Sequence, residues 1–170
     1  MRIWLLLIIS FFIQNSYCAD SGSGIDIGEA IRKKNVDLVC KFLNATDEDI
    51  NLLTTGRFGE ALRLLAYSIR EHSNELVELL LLRGANPDLS TKLDNSHFSN
   101  MFEFAAAMQN VRALRLLIEH NANITDEMLR SAMATSKICH GSGSDVLQFL
   151  LQYKAQKDRE KFVKNWHEYY

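Results

Sequence analysis

The chain predicts an all-α fold, a solenoid of about four helix-turn-helix repeats with a C-terminal capping helix. Three observations carry that expectation. A leucine-rich segment ending on Gly-Ala-Asn-Pro recurs in altered form along the chain. Each copy follows a second helical segment studded with small residues. A single proline and no long low-complexity tract interrupt the pattern.

The clearest copy is NELVELLLLRGANPDL, from Asn74 to Leu89. Four consecutive leucines fit a buried strand or the inside of a helix. The flanks decide for a helix. Asn74 is a good N-cap type, and Glu75 puts a carboxylate in the first turn, where the helix dipole favours it. Leu76, Val77, Leu80 and Leu81 share one face, and Leu79 and Leu82 widen it. Arg83 stands in the last turn, Gly84 suits the C′ position, and Pro87 forbids continuation.

NVRALRLLIEHNANIT (Asn110–Thr125) has the same form, and SDVLQFLLQYKAQ (Ser144–Gln156) repeats it. NVDLVCKFLN (Asn35–Asn44) is a fainter first copy. With Leu38, Leu76, Ala113 and Val146 taken as equivalent, the spacings are 38, 37 and 33 residues, the range of helical repeat arrays. The preceding segments are IDIGEAIRKKN, EALRLLAYSIREHS, NMFEFAAAMQN and EMLRSAMATSKICHGSGS. In them Ala30, Ala66, Ala105, Ala106 and Ala132 let paired helices approach closely.

This pattern resembles the ankyrin repeat, whose unit reads roughly T-P-L-H-x-A-A, then G-H-x-E-V-V-x-L-L-L-x-x-G-A. NMFEFAAAMQNVRALRLLIEHNANIT aligns with it without a gap. The resemblance covers about Ile25 to Lys157, giving repeats over 25–157 and a capping segment over 158–170. No copy carries the T-P-L-H tetrapeptide, the second copy reads as one extra turn before Asn74, and the fourth holds an insertion containing HGSGS. In the tail, Phe162, Val163, Trp166, Tyr169 and Tyr170 recur at helical spacing. They suit a cap over the exposed end of the stack, or an aromatic anchor for a partner.

The first residues differ in kind. MRIWLLLIISFFIQNSYCAD reads as a secretory signal peptide over 1–18, cleaved before Ala19 and followed by a flexible linker over 19–24. Its apolar run is short for a membrane span, so the exported chain is expected to keep none. Cleavage leaves Cys40 and Cys139. They fall in the first and fourth copies, and stacked helices ~8–10 Å apart keep them beyond the roughly 7 Å reach of a disulfide. Two sequons are present, Asn44-Ala45-Thr46 and Asn123-Ile124-Thr125.

Nothing in the sequence carries chemistry. There is no H-E-x-x-H and no Cys-x-x-Cys, and Cys139-His140 offers too few ligands for zinc. GSGSD lacks the lysine and strand of a phosphate loop. The net charge of −2, with no basic block, argues against nucleic acid. The expectation is a non-enzymatic exported protein without a cofactor, a monomer when free, that binds another protein. The ankyrin resemblance implies where: the concave face, built from first-helix positions and loop tips. Carried over, these are Arg32, Lys33, Arg57, Tyr67, Lys92, His97 and Met108, a groove suited to an acidic or mixed partner. A periplasmic inhibitor, immunity or companion protein leads. A secreted effector that binds a host protein is the alternative. A metal- or thiol-dependent enzyme is the reading from another class.

Overall fold

The computed structural model of the chain describes residues 26–45, 49–51, 53–55, 61–93, 96–140 and 144–169. It is mostly helical. Helices α1 (Ile27–Arg32) and α2 (Val36–Ala45) form a first pair. A hairpin of β1 (Leu53–Thr55) and β2 (Ala61–Arg63) leads into α3 (Leu64–Arg70) and α4 (Asn74–Leu82). A second hairpin, β3 (Thr91–Leu93) and β4 (Ser96–Phe98), precedes α5 (Met101–Ala107) and α6 (Val111–Glu119). Both hairpins are antiparallel. No hairpin precedes the fourth pair, α7 (Asp126–His140) and α8 (Asp145–Tyr169). The hairpins stand where the sequence reads as loop or, at Ala61–Arg63, as helix.

The first helices α1, α3, α5 and α7 pack in one row, each on the next. The second helices α2, α4, α6 and α8 pack in a second row. The first three pairs are closed by one turn. At its end the Asn35 N–H donates to the Ala30 carbonyl and the Lys34 N–H to Ile31. Ser73 and His72 donate in the same way to Ser68 and Ile69, and Asn110 and Gln109 to Ala105 and Ala106. This is the Schellman arrangement, and it needs one left-handed residue. Here that residue is Lys34, His72 or Gln109, with φ of 53°, 52° and 56°. Gly84 and Asn121 repeat the geometry after α4 and α6. The turn thus recurs at steps of 38 and 37 residues, matching the spacing of the leucine segments.

The second turn corrects two expectations. There is no extra turn before Asn74; α3 stops at Arg70 as its counterparts do. The N-cap of α4 is Ser73, and Asn74 is the first helical residue. Asn74 Oδ1 is enclosed without a hydrogen bond among the described residues. Elsewhere caps fall as expected. Asn35 accepts from the Leu38 N–H at 3.0 Å, and Asn110 accepts from Ala113 at 3.0 Å. The buried Asn110 amide also donates to the Ile69 carbonyl at 3.1 Å, tying α6 to the end of α3.

A left-handed histidine carries a penalty that glycine does not. That penalty is ~1–2 kcal/mol, offset by ~0.5–1 kcal/mol of extra chain entropy lost by glycine. His72→Gly is therefore expected to stabilise the fold by about 0.5–1 kcal/mol. Urea denaturation checks it; a lower midpoint would mean that the exposed His72 side chain helps to hold the turn.

The core runs between the two rows. Leu76, Val77 and Leu80 of α4 and Ala113, Leu114 and Leu117 of α6 are all fully buried, and the two helices pack on each other. At the far end Tyr153 of α8 lies 6.5 Å from Phe102 and 6.4 Å from Phe149, ring centre to ring centre. Burial and the nearby Glu160 charge push the Tyr153 hydroxyl pKa up.

Helix α8 is continuous from Asp145 to Tyr169, so the tail is no separate capping helix. Its middle is tied back to the start of α7. Lys157 Nζ donates to the Ile124 carbonyl at 2.8 Å, and Lys161 Nζ to Asp126 at 2.6 Å. That bond holds the Asp126 carboxyl below its ordinary pKa and the Lys161 ammonium above its own. Beyond it, Phe162 and Val163 are 66% and 52% exposed. The side chains of Trp166 and Tyr169, and Tyr170 as a whole, lie outside the described residues. So do residues 1–25, on which the expected leader and linker fall, Arg57, and the side chains of Cys139 and His140. Cys40 is a free, half-buried thiol on α2.

Candidate protein-binding surface

The two inner first helices, α3 and α5, have little surface of their own. Every residue of α3 from Leu64 to Ile69 is buried, and α5 is buried except at Glu103 and Ala107. Each is flanked by its row neighbours and covered by its pair mate. A docking face built along these helices is therefore closed over their length. On α3 and α5 what remains open is the two edges, hairpins at one end and turns at the other, whereas α7 is exposed at Glu127, Arg130, Ser131, Ala134, Lys137 and Ile138. The two edges are separated by the length of a seven-residue helix, about 10 Å.

Lys92 and His97 sit on the hairpin edge. They are directly opposite one another across β3 and β4, and both are exposed. Strand alternation explains their direction. Thr91, beside Lys92, is buried, and Phe98, beside His97, packs edge-on against Phe104 at 5.2 Å. Thr91 and Phe98 anchor the hairpin while Lys92 and His97 face out.

The loops of this edge are bound to each other in register. Asn51 Oδ1 accepts from the Asn86 N–H at 2.8 Å, and Asp88 Oδ1 from the Asn123 N–H at 3.1 Å. Both bonds span 35 residues, and the two acceptors, Asn51 and Asp88, are themselves 37 residues apart. Asn51 is fixed in turn. Asp49 accepts from its backbone N–H and its amide, both at 2.9 Å, and Arg63 Nη1 donates to its carbonyl at 2.7 Å. The two Asn51 bonds, with the Arg63 charge, hold the Asp49 carboxyl below its usual pKa.

The turn edge holds Arg32, Lys33 and Met108. Arg32 and Lys33 both pair with Glu29, Lys33 at 3.2 Å, so part of their charge is already answered. Met108 is the C-cap of α5 and half-buried against the core. Tyr67 is not at this edge. It is 1% exposed, the counterpart of Phe104, with the Arg70 guanidinium 4.6 Å from its ring centre. The turn geometry makes Arg70 and Glu71 the true equivalents of Arg32 and Lys33. Lys34 and His72 complete the row, and Lys34 Nζ reaches the His72 carbonyl at 3.4 Å. Aligning Asn35, Ser73 and Asn110 without the extra turn would have found them.

The predicted residues are thus divided. Lys92 and His97 are together; Arg32, Lys33 and Met108 are at the opposite edge; Tyr67 is core; Arg57 is not described. Among the described residues, no three His, Cys, Asp or Glu side chains come together as a metal site. No described helix is long and apolar enough to cross a membrane. No family model matches the chain, and no curated protein matches it.

Proposed function

We propose that this chain is an exported, ankyrin-like repeat protein that works by binding another protein. The observation that carries the reading is the turn that recurs at Lys34, His72 and Gln109, with hairpins leading into the second and third pairs. A row of equivalent units with protruding, anchored tips is a scaffold for recognition. The ankyrin unit joins a β-turn to two helices, which supports the reading. Because Tyr67 is buried on α3, the reading takes the exposed hairpin edge around Lys92 and His97 as the docking surface. An acidic partner surface suits it. Export rests on the leader-like residues 1–18, and the partner decides between the periplasm and the extracellular space.

Lys92→Glu with His97→Glu is expected to slow association with such a partner, most at low salt. The melting temperature should hardly change, because both side chains are exposed. Glu75→Gln and Glu119→Gln, on the second-helix row, should leave binding intact. Affinity capture followed by association kinetics is the test. Normal capture by the hairpin variant, with capture lost in the second-helix variants, would overturn the docking edge.

A further inference from the structure

We propose that Asn123 is an N-linked glycosylation site, modified as the chain is exported through a lumen that carries a lipid-pyrophosphate-linked oligosaccharide. This rests on the export reading and deepens it, since it selects the secretory route over the periplasm. Asn123-Ile124-Thr125 is an acceptor triplet, which belongs on the surface of a secreted protein. The fold meets that demand. Asn123 and Thr125 are exposed, and Ile124 between them is buried as the anchor. Residues 122–125 are neither helix nor strand, so the acceptor lies on a loop between α6 and α7. The Asn123 backbone N–H is held by Asp88, while its side-chain amide makes no hydrogen bond among the described residues. Other asparagines contrast with it. Asn100 and Asn110 are buried with both ends of their amides engaged, and neither starts an acceptor triplet. A bulky sugar at Asn123 therefore displaces no core contact.

The step balances without a redox change. The Asn123 amide nitrogen forms a bond to the anomeric carbon of the donor sugar. The carbon–oxygen bond to the lipid pyrophosphate breaks, and that group leaves with the electron pair. The amide nitrogen gives up one proton.

The test is expression of the full chain with its own leader in cultured insect or mammalian cells. Medium and lysate are compared by intact mass and N-terminal sequencing, before and after peptide-N-glycosidase. Asn44→Gln is introduced throughout so that only one acceptor remains. The expected result is a secreted chain starting at Ala19 that loses one glycan on digestion. Asn123→Gln should abolish that step, and Thr125→Ser, which keeps the hydroxyl that caps α7 at the Met128 N–H, should retain it. A secreted, processed chain with no glycan overturns the site and leaves export standing. A chain kept inside the cell with Met1 intact overturns export, and the glycan with it.

Discussion

Tyr67→Ala is expected to cost the fold ~3–5 kcal/mol, the range for removing a large aromatic ring from a core. Against the roughly 5–15 kcal/mol that holds a domain together, that is enough to leave the chain largely unfolded near 37 °C. The ring is 1% exposed on α3, a helix packed by α1, α4 and α5, and the Arg70 guanidinium closes the last side. Neighbours fixed on three sides cannot collapse into the space left. Tyr67→Phe keeps the packing and should be far milder. Thermal melts followed by circular dichroism decide it. A shift of only a degree or two for the alanine variant would return Tyr67 to the surface.

Leu80→Ala should cost ~2–5 kcal/mol. Leu80 is fully buried on α4, between α2 and α6 in the row of second helices. Its backbone carbonyl also accepts the Ala85 N–H that closes the turn at Gly84. Leu82, two residues on, is 70% exposed, so Leu82→Ala is the internal control and should be nearly silent. Equal losses at both positions would mean that the helix is rotated from the face described.

The second helices were legible in the sequence because their signals are local. The face of Leu76, Val77, Leu80 and Leu81 is buried as the spacing predicts, and Gly84 is left-handed as its type suggests. Asn35 and Asn110 cap where they should. The hairpins were hidden because three-residue strands are too short for alternation to show. Their pairing also depends on packing against the neighbouring unit. The misplacement of Tyr67 has a similar cause. Its turn uses His72 in a left-handed conformation instead of glycine, so nothing in the residue types marked where α3 ends. The candidate surface suffered most, since exposure is decided by what lies across the stack. From sequence Tyr67 reads as a bulky groove residue, and only the packing of α1 and α5 against it shows otherwise.

The paired loop bonds from Asn51 to Asn86 and from Asp88 to Asn123 bear on how the molecule comes apart. Each joins one unit to the next and to no other. Each donor is a single amide whose hydrogen exchanges with solvent when that one loop bond breaks. The Asn86 and Asn123 amides are thus two independent gauges along the chain. In deuterium, equal protection would show the units opening all at once. A faster rate at one would locate the weaker seam and the direction from which the array unzips.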